Sequence, residues 1–221
     1  MKRDVPRQEV ILVHGLWVPR VVMWPIAARL AHAGYIPRVF GYAGRQPIER
    51  SIERLARYAH VRCGGRTCAF VGHSLGAVLV LEALNRRRDI ALASAVLLAP
   101  PVNGCLAARR FGATRLGHLM LGASASLWSE GRSARWLRDA PLGVIAGTRS
   151  FGLGHLFGPL PGANDGVVRL DETRVEDATE HLSVPLSHSL MVVSRHAAAL
   201  VTRFLASGRF AERDGCAEEG R

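Results

Sequence analysis

Long apolar runs are absent from this sequence. No stretch of its 221 residues approaches the roughly 20 consecutive apolar residues that a membrane-spanning helix requires. No apolar signal segment stands between the charged N-terminal residues and the first run of aliphatic residues. We therefore expect a cytoplasmic protein without a membrane span.

Cysteines are few and scattered. The four are Cys63, Cys68, Cys105 and Cys216, and a chain of this length can bury a sizeable core without disulfides. Cys63 and Cys68 could bridge across a turn, but a cysteine that leads a core strand is typical of simple burial. Their spacing also differs from the two-residue gap of common zinc sites. The sequence therefore predicts neither a metal nor another cofactor.

Lysine is almost missing, and carboxylates are outnumbered. Lys2 is the only lysine, the chain has 29 basic and 18 acidic residues, and its formal net charge is +11. Codon composition is the ordinary cause of such an arginine bias, and attraction to anionic partners is the functional interpretation. The arginine clusters at 86–88 and 109–110 lack interleaved aromatic residues. We expect no nucleic-acid partner, while weak contact with an anionic membrane surface stays open.

Short aliphatic segments alternate with amphipathic ones along most of the chain. The aliphatic runs predict strands at 9–13, 35–42, 67–71, 94–100, 141–148 and 181–186. Helical periodicity predicts helices at 24–33, 47–62, 77–84 and 190–206. Pro37 indicates that the second strand lies at a sheet edge. This alternation predicts a single α/β domain over 1–210, with a mostly parallel central sheet flanked by helices, and a frayed tail over 211–221.

The segment Val71–Gly76, with the sequence VGHSLG, joins a predicted buried strand to a predicted helix. So tight a turn forces Ser74 into strained backbone angles, and the missing Cβ atoms of Gly72 and Gly76 make the turn feasible. The Ser74 hydroxyl is then held at a helix N-terminus, where negative charge is favoured. A glycine- and serine-rich turn without chemistry would share this pattern, so other parts of a site are needed.

This Gly-X-Ser-X-Gly turn resembles the nucleophile elbow of the α/β-hydrolase superfamily, and the chain looks most like its compact bacterial lipase and esterase branch. The resemblance covers about residues 9–206 and implies a metal-free serine hydrolase. It also implies an oxyanion hole made by two backbone N–H groups. One belongs to Leu16, which follows the first strand and His14-Gly15, and the other belongs to Leu75.

The superfamily order of serine, acid and histidine selects the catalytic base by position. His188 lies in the loop between the last predicted strand and the last predicted helix. His181 falls in that strand, and His196 falls in the helix, where we expect it to pack against the core. His188 is therefore the predicted base.

The predicted acid is Asp165, which follows the strand 141–148 through a glycine-rich loop. The sequence Asn164-Asp165-Gly166 resembles the acid loop of bacterial lipases, although an Asn-Asp-Gly turn without chemistry is also common. Three other carboxylates follow among further charged residues and are typical of a solvated surface: Asp171, Glu172 and Asp177.

The stretch 103–139 has no strand pattern and mixes apolar residues with glycine and arginine. The superfamily inserts cap or lid elements at this place, and one crossover helix with long flanks fits the sequence equally well. As a cap, the stretch would line an acyl pocket. Four residues are the predicted substrate contacts: Trp17, Leu119, Leu127 and Trp128.

These parts predict a serine hydrolase of the esterase or lipase type, acting on a small-molecule ester or a lipid. Ser74 would attack the acyl carbon, His188 would accept and return the proton, and Asp165 would hold His188. Thioesterases, amidases and acyltransferases use the same triad, and a catalytically silent binding protein could keep the fold. Those alternatives, the acyl length and the oligomeric state stay open on the sequence alone.

Overall fold

Six parallel strands form the central sheet of the computed structural model, which describes residues 8–44, 46–128 and 133–211. The strands are β1 (Glu9–Val13), β2 (Ile36–Phe40), β3 (Cys68–His73), β4 (Leu92–Leu98), β5 (Leu142–Gly147) and β6 (Glu180–Val184). Their order across the sheet is β2-β1-β3-β4-β5-β6. The predicted parallel α/β class is confirmed, and β2, which contains Pro37, lies at an edge.

Within the described ranges, six α-helices cover the two faces of the sheet. They are α1 (Trp24–His32), α2 (Ile48–Cys63), α3 (Leu75–Arg86), α4 (Leu106–Gly112), α5 (Arg115–Leu121) and α6 (Arg195–Ser207). Among the described residues, no helix combines the length and the apolar character that crossing a bilayer demands. The predicted tail 211–221 lies outside the described residues, apart from Ala211.

Alternate residues of a buried strand point to opposite faces of the sheet, and each face has its own apolar cluster. Ile11 and Val13 of β1 join the cluster covered by α2, α3, α4 and α5. Val10 and Leu12 join the cluster covered by α1 and α6. The continuous aliphatic sequence of β1 is thus explained by burial on both sides. Cys63 and Cys68 are buried free thiols.

The last helix begins five residues later than the sequence predicts. Ser194 forms its N-cap, because its hydroxyl accepts a hydrogen bond from the N–H of Ala197 at 3.3 Å. Residues 190–193 are turns, although their apolar side chains continue the helical periodicity. The prediction that His196 packs against the core is wrong, because it lies in the first turn of α6 and is exposed.

Where the structure describes it, the connection between β4 and β5 forms two short helices and a 3-10 turn (Gly122–Trp128) rather than one crossover helix. Thr114 separates α4 from α5, accepting a hydrogen bond from the N–H of Gly117 at 2.9 Å and donating one to the Phe111 carbonyl at 2.8 Å. A Cβ on Gly117 would lie 1.8 Å from that carbonyl oxygen, so only glycine fits. Part of the predicted insertion, residues 129–132, lies outside the described residues.

Candidate active site

Ser74 occupies the sharp turn between β3 and α3. Its backbone angles are φ 55° and ψ −126°, a strained conformation for a residue with a side chain. Its N–H donates to the Leu98 carbonyl of β4 at 2.9 Å, which fixes the turn to the sheet. An added Cβ would lie 2.3 Å from the His14 oxygen if placed on Gly76, and 2.5 Å from Ala77 Cα if placed on Gly72. The expected elbow geometry is therefore present, with both glycines sterically required.

His188 brings its imidazole to the serine from the loop after β6. Its Nε2 lies 2.9 Å from the Ser74 hydroxyl oxygen, and its Nδ1 lies 2.8 Å from Oδ2 of Asp165. The backbone N–H of His188 also donates to the Asp165 carbonyl at 2.9 Å. The structure thus brings together the three residues selected from the sequence, although 114 residues separate Ser74 from His188.

Asp165 is 1% exposed, and both of its carboxylate oxygens have partners. Oδ1 accepts hydrogen bonds from the N–H groups of Val167 and Val168, at 2.9 Å and 2.7 Å. Oδ2 is left for His188 Nδ1, which must be the protonated nitrogen, because an ionised carboxylate only accepts. His188 Nε2 is then the acceptor of the serine proton. The arrangement fixes the tautomer needed for a general base.

The loop after β1 lies directly against the nucleophile, where the sequence predicts an oxyanion hole. A Cβ on Gly15 would lie 3.1 Å from the Ser74 Cβ. His14 stiffens the loop, with Nδ1 donating to the Gly15 carbonyl at 2.8 Å while its own carbonyl accepts from the Tyr42 hydroxyl at 3.0 Å. Within the described residues, the backbone N–H groups of Leu16 and Leu75 make no hydrogen bond. Both amides therefore remain available to a bound oxyanion.

The sequence matches the family model described as "Alpha/beta hydrolase family" over residues 10–213. That match spans nearly the whole chain and agrees with the elbow geometry. The protein belongs to the alpha/beta hydrolase family. The family resemblance drawn from the elbow is thereby confirmed. Curated protein sequences yielded no match to this hydrolase.

Solved structures share the fold of this hydrolase at low sequence identity. A metagenomic carboxyl esterase is 18% identical, with a TM-score of 0.66 over 92% of this chain and 76% of the esterase. A pyrethroid hydrolase is 13% identical, with a TM-score of 0.62 over 90% and 98% of the two chains. A monoacylglycerol lipase of Paleococcus ferrophilus is 15% identical, with a TM-score of 0.58 over 90% and 94%. At these identities the likeness concerns the fold.

A second histidine of the hydrolase, His73, borders the site and was not selected from the sequence. It is the last residue of β3, and its Nε2 donates to the His188 carbonyl at 3.1 Å, with the two ring centroids 4.9 Å apart. Burial, aided by repulsion from His188, lowers the pKa of His73 to about 3. His73 therefore stays neutral and ties the nucleophile strand to the loop of the base. The only sequence signal was its place before Ser74.

Replacing His73 with glutamine should change the acid dependence of stability. The unfolded chain binds a proton at His73 below about pH 6.5, whereas the folded chain does not until pH about 3. Lowering the pH from 7 to 5 should therefore reduce the free energy of unfolding of the wild type more than that of His73→Gln, by on the order of 2 kcal/mol. Urea titrations at both values measure this difference.

Other buried histidines are common to both proteins and cancel in that comparison. His196→Gln is the matched control, because that side chain is exposed, and it should follow the wild type at both pH values. Equal losses in the wild type and His73→Gln would show that His73 takes up a proton in the folded state at pH 5.

The four predicted substrate contacts have different surroundings. Trp17, at φ 58°, is half exposed, and its indole N–H donates to the Met120 carbonyl of α5 at 3.2 Å. Leu119 is exposed on the same helix. Leu127 and Leu75 line a small cavity of about 10 Å³, room for a single water molecule. Trp128 is 4% exposed and packs in the apolar cluster on the α3 side of the sheet.

Trp128 accordingly has the burial of a core residue, and its removal should act on stability. Trp128→Ala should lower the free energy of unfolding by about 3–5 kcal/mol, because it leaves a large cavity. The ratio of activities on acetate and octanoate esters should stay unchanged. Trp24→Ala is the matched control, because Trp24 is 60% exposed and should change the stability by less than about 1 kcal/mol. A changed ratio of acetate to octanoate activity in folded Trp128→Ala would instead indicate that Trp128 lines the acyl pocket.

Proposed function

We propose that this alpha/beta hydrolase cleaves carboxylic esters through Ser74, His188 and Asp165. The observation that carries the proposal is the continuous hydrogen-bonded chain from the serine hydroxyl to the buried carboxylate, with links of 2.9 Å and 2.8 Å. A hydroxyl becomes a competent nucleophile at neutral pH only when a positioned base takes its proton. The chain supplies that base together with the group that orients it.

In the first half of the reaction, Ser74 Oγ attacks the acyl carbon while His188 Nε2 takes the hydroxyl proton. The imidazolium formed is stabilised by Asp165, which stays ionised and keeps two backbone hydrogen bonds on its other oxygen. The tetrahedral oxyanion is stabilised by the N–H groups of Leu16 and Leu75. His188 then donates its proton to the departing alcohol, and an acyl-serine remains.

In the second half, water replaces the alcohol. His188 accepts a proton from the water as it attacks the acyl-serine, and returns that proton to Ser74 as the bond to the acid breaks. The helix dipole of α3, whose first residue is Leu75, favours the negative charge that develops twice at this place. Besides the ester, water is the reactant that these steps use.

Support for an ester as the substrate class comes from the solved relatives of the fold. They include a carboxyl esterase and a monoacylglycerol lipase. Trp17 and Leu119, exposed beside the oxyanion loop, are the proposed contacts for the substrate as it enters. Leu127 is not among them, because it is 8% exposed and packs in the same apolar cluster as Trp128.

A matched set of p-nitrophenyl esters, a thioester and an anilide with the same acyl group tests the proposal. The ester should have the highest kcat/KM, and a fluorophosphonate should label Ser74 in proportion to the activity lost. A faster thioester or anilide would overturn the ester assignment while keeping the triad. If the folded protein were neither labelled nor able to turn over any of these substrates, the alternative of a catalytically silent binding protein would be favoured.

Replacing Asp165 with asparagine should preserve the geometry and reverse the tautomer. The amide oxygen can still accept from Val167 and Val168, but the amide nitrogen would donate to His188 Nδ1. His188 Nε2 would then carry the proton and could not accept one from Ser74. The expected loss in kcat is about 10⁴-fold. Asp171→Asn, at an exposed carboxylate, is the control and should match the wild type; an equal loss in both would contradict Asp165 as the acid.

A further inference from the structure

Most of the exposed large apolar side chains lie at one end of the molecule. Among the described residues there are thirteen, and all but Val61 and Leu137 lie in α5 or in segments that follow the carboxyl end of a strand. Parallel strands place their carboxyl ends at the same edge of the sheet, which is the edge that holds Ser74 and His188. Exposed apolar side chains concentrated in this way indicate an interaction surface.

We name this surface the rim, and it consists of residues 14–24, 99–128, 148–168 and 185–195. Aromatic contacts join three of these segments. The Trp17 ring meets Phe111 edge-on at 5.5 Å between centroids, and Phe111 contacts Phe157 at 4.7 Å. These three segments therefore pack against one another, and the fourth joins them through the hydrogen bond between His188 and Asp165.

The most exposed apolar side chains of the rim follow β5. Phe151, Leu153 and Leu156 are 74%, 73% and 73% exposed. Their turn is held next to the catalytic acid, because the N–H of Gly154 donates to the carbonyl of Gly166 at 2.9 Å. Apolar side chains are thus presented to the solvent by a turn anchored beside the triad.

Charge in the rim has one sign. Among its described residues the sole carboxylate is Asp165, which is buried and bonded to His188. Two carboxylates border the rim: Glu172 is buried and accepts a hydrogen bond from the N–H of Leu106, and Asp171 pairs with Arg169. The rim itself contains six arginines, at positions 20, 109, 110, 115, 149 and 195.

We propose that the rim docks on a lipid surface bearing anionic headgroups. Apolar side chains inserted among the acyl chains stabilise such binding by burying apolar surface. Arginines beside the headgroup phosphates add electrostatic attraction. A second copy of the chain fits less well, because a symmetric contact through the rim would bring the arginines of both copies together without a carboxylate between them. The charge pattern therefore favours the bilayer.

Docking in this orientation turns the triad toward the lipid. An ester held in the bilayer would then reach Ser74 without leaving the apolar phase, which makes a lipid ester the substrate class. This second part rests on the proposed ester hydrolysis. Docking itself does not, so the two can be tested separately.

Flotation of the full chain with vesicles tests the docking. Vesicles of phosphatidylcholine alone are compared with vesicles of phosphatidylcholine and phosphatidylglycerol, at low and high salt. The triple variant Phe151→Ser, Leu153→Ser, Leu156→Ser removes the apolar turn, and the double variant Val61→Ser, Leu137→Ser is the control at exposed apolar residues outside the rim. Circular dichroism melts establish that each variant is folded.

The wild type should float with the anionic vesicles, less at high salt and less with phosphatidylcholine alone. The triple variant should lose at least about tenfold in partition coefficient, and the control double variant should match the wild type. Absence of flotation with anionic vesicles, or equal losses in both variants, would overturn the proposal. A dimer in vesicle-free ultracentrifugation that only the triple variant abolishes would assign the surface to a second copy instead.

Ser74→Ala should float like the wild type, because docking needs no chemistry. If the wild type floats but hydrolyses no ester in solution, the docking proposal is supported and the proposed ester hydrolysis is wrong. If it hydrolyses soluble esters and does not float, the docking alone is wrong.

Discussion

Ser74→Ala is expected to lower kcat for ester hydrolysis on the order of 10⁶-fold, because the reaction loses its nucleophile and the triad acts as a unit. Residual turnover would come from the oxyanion amides of Leu16 and Leu75 and from substrate binding. The fold should persist, because alanine keeps the Cβ and the backbone hydrogen bond to the Leu98 carbonyl. Steady-state kinetics on a p-nitrophenyl ester, with active-site titration, measures the loss.

Ser183→Ala provides the control, since Ser183 is an exposed serine on β6 and should leave kcat unchanged. Fluorophosphonate labelling should disappear in Ser74→Ala and persist in Ser183→Ala. Substantial turnover by folded Ser74→Ala, free of contaminating wild type, would contradict the mechanism in which Ser74 is the nucleophile.

Replacing His188 with alanine should cost about as much as replacing Ser74, on the order of 10⁶-fold in kcat, because the hydroxyl then has no acceptor for its proton. The Nε2–Oγ distance of 2.9 Å makes His188 the side chain in contact with the nucleophile. Neighbouring His73 cannot substitute, because burial lowers its pKa to about 3 and makes it too weak a base to hold the serine proton. The same kinetic assay measures the effect.

Two other histidines separate catalysis from structure in that experiment. His196→Ala should leave both rate and stability close to the wild type, because the side chain is exposed. His181→Ala should act on stability more than on rate, because its Nε2 is paired with the Thr173 hydroxyl at 2.9 Å. An inactive, folded His196→Ala beside an active His188→Ala would reverse the assignment.

The turn around Ser74 could be predicted because its signal is a short local sequence. Its two partner residues could be predicted from the order of residues along the chain. Gly72 and Gly76 have one steric reason to flank Ser74, and that reason is readable from sequence. Asp165 and His188 were identified by their order along the chain and by the strands they follow. Parallel strands then bring such loops to one edge without any further information.

The surroundings of single side chains could not be predicted in the same way. Residues 190–193 continue an apolar helical pattern, yet the hydroxyl of Ser194 starts α6 after them. Trp128 looked suited to a pocket, and packing of the 3-10 turn against the sheet buries it. His73 meets the carbonyl of a residue 115 positions away, a contact that no local pattern encodes.

The division of the triad along the chain has a consequence for biosynthesis. Ser74 belongs to the first half of the sequence, whereas Asp165 and His188 follow β5 and β6, the last strands to be made. With the proposed triad, a nascent chain would therefore hold Ser74 without His188 until the sheet is complete, and we expect it to stay inert toward esters while it grows. Return of activity after dilution from denaturant reports the closure of these long-range contacts, which is the slow part of assembling a parallel sheet.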